Sequence, residues 1–411
     1  MSLYQLAHDG DADTLLTKLR ESESAAVRKR AAELLGGLGE DLDDVDRREA
    51  VGGLIEVAAG DEEATVRGAA IDALDGFGTG AVERLLAELT GVDPEEGADW
   101  VTAKRFAKAL SADQPELRMA AANALGRIGD GDVVPRLVGA LDDPDARVRQ
   151  RAAAALGSVG HSRAIGPLSG LLEDETPAVK RAAADALAML DGDAALAPLL
   201  SLLDDDGETL RWIAASALGN ASSAKPVPAL AAALTDESEP VRRSAVFSIV
   251  QLLSNAPQAR SHKVRQAVVS ELTAVDDAAV VDPLVAILSE GSQRPPRRNA
   301  AWLLGRVGSA ESRDAVGDAL VDALVDDDST VSQFAATSLT NVGGERVERR
   351  LLDLVADGAV ADDARAKAVF VLGQVGGDRS RERLERLTNE AEDKEVRKRA
   401  FSALSKLGGH A

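Results

Sequence analysis

The sequence predicts an all-α fold, an α-α superhelix of about eleven to twelve two-helix repeats. Three observations support this prediction: a recurring motif, a nearly constant spacing between its copies, and a core composition of small aliphatic residues. Hydrophobic residues make up 45% of the chain but aromatic residues only 2%, which favours closely packed helices over sheets. Such a chain buries its apolar surface by stacking one repeat on the next.

The recurring motif begins with a Val-Arg pair, continues through a run of alanines and ends near a Gly-x-x-Gly. The copy at 148–160 reads VRQRAAAALGSVG. The copies at Leu117, Val148, Val179 and Leu210 follow one another at intervals of 31 residues. A fixed period of this length indicates stacked supersecondary units. The remaining copies begin at Val27, Val66, Val241, Pro296, Val331, Ala364 and Val396.

Each repeat is predicted to contain a first helix and then the helix of the motif, which we call the motif helix. In the copy above, Val148 and Leu156 lie at helical spacing on one apolar face. The acidic turn before Val148 suits a helix N-terminus, and Gly157 and Gly160 are both expected to end the helix. The following run, 162–173, supplies the first helix of the next repeat.

A repeated acidic position is predicted to join neighbouring repeats. In six repeats, an Asp lies six residues before the second residue of the motif. In five of these repeats, the second residue of the motif is Arg or Lys. We expect these carboxylates to form a ladder of Asp–Arg contacts between adjacent turns rather than to act in catalysis. They are Asp61, Asp143, Asp174, Asp205, Asp236 and Asp326.

The domain organisation predicted from this pattern is a single continuous solenoid over 1–411 with two irregular segments, 91–113 and 254–277. The second segment contains its own Val264-Arg265 pair, which is typical of a twelfth repeat that has lost a helix. The first is either an eroded repeat or a docking element for a partner, with Trp100, Lys104 and Lys108 on one side of a predicted helix.

The motif DDPDARVRQRAAAALGSVG and its 31-residue period resemble the HEAT-type repeats of the phycobilin-lyase class. The resemblance implies a right-handed superhelix whose motif helices line a concave face. The chain has a net charge of −22 and few lysines, a composition typical of proteins from salt-loving organisms, so we expect a haloarchaeal source. Some haloarchaeal proteins with this class of repeat are associated with the chemotaxis and archaellum machinery, so the resemblance suggests an adaptor in that machinery.

Several kinds of chemistry lack the residues that they need. The chain has no cysteine and four histidines, and no histidine is followed by Glu, as the iron sites of HEAT-like hydroxylases require. There is no P-loop motif. We therefore expect no catalytic residue, no metal site and no cofactor. With no signal-peptide pattern and no long apolar run, a cytoplasmic protein that does not bind membranes is expected.

A partner-binding surface is predicted on the motif helices of the later repeats. Counting the first residue of each motif as position 0, we expect positions 0, 4, 5, 8 and 11 in the core and positions 2, 3, 6, 7 and 10 toward the groove. From Leu210 onward these outer positions gain aromatic, arginine and amide side chains, which are typical of protein-binding hot spots. The predicted site residues are Trp212, Asn220, Arg243, Phe247, Gln251, Arg298, Trp302, Arg306, Asn341, Phe370 and Gln374.

The function that these observations favour is a non-enzymatic scaffold or adaptor that binds another protein, such as a chemotaxis or archaellum component. Two alternatives stay open at this point. The same arginines and Trp302 could bind nucleic acid, although amides interrupt the basic positions. The resemblance also leaves a phycobilin-lyase-like enzyme, for which no bilin-specific residues are evident.

Overall fold

The computed structural model describes residues 3–8, 10–39, 42–90, 99–390 and 394–408. Within these ranges every regular element is a helix, and no helix is long and apolar enough to cross a membrane. The chain divides into two compact units, one ending at Leu190 and the other beginning at Asp191. A single continuous solenoid therefore stays a prediction, and residues 91–98 of the first irregular segment lie outside the described ranges.

The first unit contains twelve α-helices and four short 3₁₀ helices within its described residues. The α-helices are α1 (Leu3–His8), α2 (Ala12–Glu21), α3 (Ala25–Gly37), α4 (Asp44–Gly60), α5 (Ala64–Gly76), α6 (Thr79–Thr90), α7 (Asp99–Ala109), α8 (Pro115–Ile128), α9 (Val134–Gly139), α10 (Ala146–Val159), α11 (Ile165–Gly170) and α12 (Pro177–Leu190). The 3₁₀ helices are Gly131–Val133, Ala140–Asp142, Ser162–Ala164 and Leu171–Glu173.

The second unit contains thirteen α-helices and three 3₁₀ helices within its described residues. The α-helices are α13 (Asp193–Leu202), α14 (Glu208–Ala217), α15 (Val227–Ala232), α16 (Glu239–Asn255), α17 (Gln258–Leu272), α18 (Asp277–Glu290), α19 (Arg294–Val307), α20 (Arg313–Asp322), α21 (Ser329–Val342), α22 (Glu345–Ala356), α23 (Asp362–Val375), α24 (Asp378–Glu390) and α25 (Lys394–Gly408). The 3₁₀ helices are Leu218–Asn220, Ala233–Thr235 and Ala323–Val325.

All eleven copies of the motif lie on helices, which confirms the predicted all-α fold of two-helix repeats. The copy in α10 shows why the sequence folds in this way. The carboxylate of Asp145 accepts a hydrogen bond from the backbone N–H of Arg147 at 2.8 Å and caps the helix. Val148 and Leu156 are fully buried, and Gly160 ends the helix with a left-handed φ of 73°.

The glycine at position 9 has a different role from the predicted one. Gly157 lies inside α10, where a Cβ atom would come within 2.8 Å of the Cα atom of Ala186 on the next motif helix. The same close contact joins Gly126 to Ala155 and, in the second unit, Gly219 to Ser248. The interpretation of this glycine as a helix end was wrong, because its missing side chain lets neighbouring motif helices touch backbone to backbone.

The predicted ladder is present for five of the six carboxylates, each of which binds the arginine of the preceding repeat. Asp205 follows a repeat with Lys180 in place of arginine, and its carboxylate accepts a hydrogen bond from the backbone N–H of Gly207 at 2.8 Å. Asp143 accepts hydrogen bonds from Nε and Nη2 of Arg118 at 2.6 and 2.8 Å. Nη1 of Arg118 also donates to the backbone carbonyl of Ala112 at 2.9 Å, six residues before it in the turn of its own repeat. The arginine thus links the turn of its own repeat to the turn of the following repeat. The same carboxylate pairing is formed by Arg28 and Asp61, Arg149 and Asp174, Arg211 and Asp236, and Arg297 and Asp326.

Both irregular segments contribute a helix. In α7, Trp100, Lys104 and Lys108 are exposed along one side, as predicted. In α17, Val264 and Val268 are fully buried, so the Val264-Arg265 pair lies within a helix whose apolar face packs into its unit as a motif helix does.

Candidate protein-binding surface

The outer face of the motif helices is defined by positions 2, 6 and 10. At 100° per residue these positions centre at about 240° around the helix axis, whereas positions 0, 4 and 8 centre at about 40°. Since the core lies on the 0-4-8 face, the 2-6-10 face is turned away from it. Positions 6 and 10 are not buried in any of the motif helices that the structure describes. We call the residues at these three positions in the second unit the 2-6-10 stripe.

All eleven predicted site residues lie on this stripe, and none of them is buried. Arg243, Phe247, Asn341 and Gln374 are exposed, while the others are half-buried. The two tryptophans and Phe370 are therefore accessible rather than enclosed between helices. Phe247 is the most open large apolar side chain among them, with 42% of its surface exposed.

Position 7, which was also expected to face outward, is buried from the second repeat onward. Ala124 and Ala155 are examples, with Ala155 packed against Gly126 of the preceding motif helix. Position 3 is mixed, since Ala120 is buried while Phe334 is half-buried. The interpretation of position 7 was wrong because this position lies on the side of the helix that contacts the preceding repeat.

The indole of Trp302 is the centre of a cationic cluster on the stripe. The Cζ atom of Arg306, one turn later on α19, lies 4.4 Å from the centroid of the Trp302 ring system. The Cζ atom of Arg265, on α17, lies 5.5 Å from the same centroid. Nη1 of Arg306 donates a hydrogen bond to the backbone carbonyl of Trp302 at 2.8 Å. Burial and the nearby charge of Arg265 lower the pKa of Arg306.

Arg265 is the member of this cluster that the sequence did not predict. It lies 37 residues before Trp302 in an irregular segment, and only the packing of α17 brings it to the stripe. Its place directly after Val264 was the available signal, because that Val-Arg pair marked 254–277 as a further repeat helix. Two further cations lie beside aromatic rings of the stripe or next to it. The Cζ atom of Arg298 lies 5.9 Å from the ring centroid of Phe334, and the Nζ atom of Lys406 lies 5.5 Å from the ring centroid of Phe370.

The stacking of motif helices changes beside α17. In regular pairs, position 9 of one helix contacts position 7 of the next, as Gly305 contacts Ser338. Between α16 and α19, however, the carbonyl of Val250 at position 9 accepts a hydrogen bond from Nδ2 of Asn299, at position 3, at 3.1 Å. On α19, this contact at position 3 lies about one helical turn, roughly 6 Å along the helix axis, from position 7, which makes the regular contact.

A pocket of about 760 Å³ opens on the stripe near this irregular contact. Phe247 and Arg243 of α16 form one side, and Pro283 and Ile287 of α18 form another. Its carboxylates, Asp282 and Glu290, and the serines around it give a mixed apolar and polar lining. Pockets of this size and composition can take an apolar side chain of a partner.

The amide residues of the stripe are only partly brought together. Nε2 of Gln251 donates a hydrogen bond to Oδ1 of Asn220 on the neighbouring motif helix at 2.8 Å. Within the described ranges, Asn341 and Gln374 take part in no side-chain hydrogen bond. The same ranges contain no cluster of three His, Asp or Glu side chains that could hold a metal ion.

Comparison with known proteins places this architecture in a family. A family model described as HEAT repeats matches residues 12–103, 102–177, 135–219, 166–249 and 282–363, which is more than half of the chain. The chain belongs to the HEAT-repeat family. The alternation of first helices and motif helices is thus the HEAT architecture, as the motif and its period predicted.

One relative in this family matches almost end to end. A HEAT repeat-containing taxis protein of Halobacterium salinarum is 48% identical over 411 residues, covering 99% of this chain and 99% of that protein. An engineered protein of known structure is 22% identical, with a TM-score of 0.40 and coverage of 97% of this chain and 99% of the other.

Proposed function

We propose that this HEAT-repeat protein is a cytoplasmic, non-enzymatic scaffold or adaptor of the taxis machinery. In this proposal it binds another protein along the 2-6-10 stripe of its second unit, which forms the concave face of the solenoid. The end-to-end similarity to a haloarchaeal taxis protein supports the cellular process. The association of HEAT repeats with protein binding supports the scaffold role.

The cluster at Trp302 is the observation that supports the binding surface. Trp and Arg are the residue types most enriched at the energetic centres of protein interfaces. Here two arginine side chains lie against the ring of an accessible tryptophan, and Phe247 and a pocket lie on the same stripe. Core packing has no need of such side chains, because the buried positions of the same helices are filled mostly by Ala, Leu and Val.

The test is affinity capture from native lysate in high salt with the full chain as bait. The wild type is compared with a Trp302→Ala/Arg306→Ala variant and with Tyr4→Ala, a control that removes an aromatic side chain 71% exposed on α1 of the first unit. Loss of an anchor such as Trp302 should cost ~2 kcal/mol or more in binding. Captured taxis proteins should therefore disappear with the double variant and persist with the control. Equal capture by all three baits, with the fold intact, contradicts the proposal.

A further inference from the structure

The 2-6-10 stripe is basic although the protein is strongly acidic. Its six motif helices contribute three positions each, and none of these eighteen residues is Asp or Glu. Elsewhere acids are abundant, since the chain has 69 of them and a net charge of −22. The basic residues of the stripe are Arg243, Arg298, Arg306, Lys398 and Lys406. The stripe itself thus presents positive and neutral side chains, and the carboxylates near it are Asp282 and Glu290 in the pocket and Glu239, which pairs with Arg243.

The arginines of the ladder satisfy their guanidinium groups with carboxylates, whereas others, such as Arg67 and Arg242, donate to backbone carbonyls. In the ladder, Arg211 pairs with Asp236 through Nε at 2.9 Å. Within the described residues no ion pair includes Arg265, Arg298 or Arg306. The three are held beside aromatic rings instead.

The two guanidinium groups beside Trp302 also repel each other. Both lie within 5.5 Å of the same ring centroid, and the charge of Arg265 acts on Arg306. An anion between them would remove this repulsion and accept charge-assisted hydrogen bonds from both. Two guanidinium groups at one ring thus form a positive site that a carboxylate can neutralise.

We propose that the stripe binds an acidic segment of a partner protein, with a carboxylate held by Arg265 and Arg306 beside Trp302. This inference rests on the proposed function and adds the chemistry of the partner. A protein segment fits better than nucleic acid because five separated basic residues match a few carboxylates. A phosphate backbone favours a continuous basic track, and Gln251, Asn341 and Gln374 interrupt the basic positions of the stripe.

The test uses a synthetic probe and the full chain. A short capped peptide of Glu and Ala is titrated into a Trp100→Phe/Trp212→Phe variant, in which Trp302 is the one tryptophan left, and its emission is followed. At ~1 M salt, where the screening length is about 3 Å, direct arginine–carboxylate contacts should persist. We expect the acidic peptide to shift the emission, and its Gln-for-Glu counterpart to leave it unchanged.

Charge-matched variants decide the result. Arg265→Gln and Arg306→Gln should each weaken the acidic peptide by roughly 10-fold or more, whereas Arg349→Gln, which removes an exposed arginine of α22, should not. Equal weakening by Arg349→Gln, or equal binding of the Gln peptide, overturns the inference. So does tighter, steeply salt-dependent binding of oligothymidylate. If capture of taxis proteins depends on Trp302 while the acidic peptide does not bind, only this inference fails and the proposed function stands.

Discussion

Gly126 on α8 lies against the backbone of Ala155 on α10, so closely that a Cβ atom on Gly126 would come within 2.8 Å of the Cα atom of Ala155. Backbone on both sides leaves no flexible side chain that could move aside. This contact sets how near two motif helices approach, and it recurs at position 9 where that residue is glycine.

Substituting this glycine should therefore destabilise the first unit. Gly126→Ala forces the two helices apart, and overpacking of this kind costs about 1–3 kcal/mol. Gly139→Ala on α9 is the matched control, because nothing lies within 4 Å of the added methyl group and alanine favours the helix. Chemical denaturation followed by circular dichroism should show a lower midpoint for Gly126→Ala and an equal or higher one for Gly139→Ala. A lower midpoint for both variants would contradict the packing argument.

The ladder makes a second prediction about stability. The side chains of Arg118 and Asp143 are 12% and 7% exposed, so Asp143→Asn leaves a largely buried guanidinium without its counter-ion. We expect a loss of about 2–4 kcal/mol in the free energy of unfolding. Glu382→Gln, which breaks the exposed pair with Arg386 on α24, should have no measurable effect. Equal losses in the free energy of unfolding for the two variants would show that the ladder pair stabilises the fold no more than an exposed ion pair does.

The same carboxylates predict how stability depends on pH. Burial alone would raise the pKa of Asp143, but hydrogen bonds from Arg118 and from the backbone N–H of Asp145 hold the pKa below its ordinary value. The hydrogen bond from Arg28 lowers the pKa of Asp61 in the same way. A carboxylate with a lowered pKa in the folded state stabilises the fold above its unfolded pKa of ~3.9. That stabilisation is lost as pH falls through the folded pKa.

Acid titration of the fold checks this direction. The free energy of unfolding of the wild type should be constant through mild acid and fall below about pH 4. Asp143→Asn should start from a lower value and fall less steeply, because one of the titrating groups is gone. A wild-type protein that loses no stability in acid would rule out the ladder as a source of stability.

Phe247 should matter for binding and little for folding. Its side chain is 42% exposed beside the pocket between α16 and α18 and lies outside the core, so Phe247→Ala removes few core contacts. We expect partner affinity to fall ~10-fold, as for a peripheral anchor, with an unchanged denaturation midpoint. Titration calorimetry with the captured partner and denaturation of the same samples separate the two effects. An unchanged affinity would remove Phe247 from the site.

The sequence predicted the repeats and most of the candidate site because both follow from periodicity. Val148 and Leu156 in the core, and Trp302 and Arg306 on the outer face, are fixed by 100° steps around a helix. Position 7 was misplaced because residues such as Ala155 are small and give no hydropathy signal for a contact between helices. Arg265 could not be placed, because the packing of α17 depends on long-range contacts that no local spacing encodes.

The most direct test of the partner-binding stripe is site-specific photo-crosslinking in the native cell. Phe247 and Gln374 on the stripe, and Arg349 on α22 as control, are each replaced by p-benzoylphenylalanine in the full chain. We predict that irradiation joins a taxis protein to the chain from positions 247 and 374, with none joined from position 349. A partner joined from position 349 and from neither stripe position would contradict the central claim.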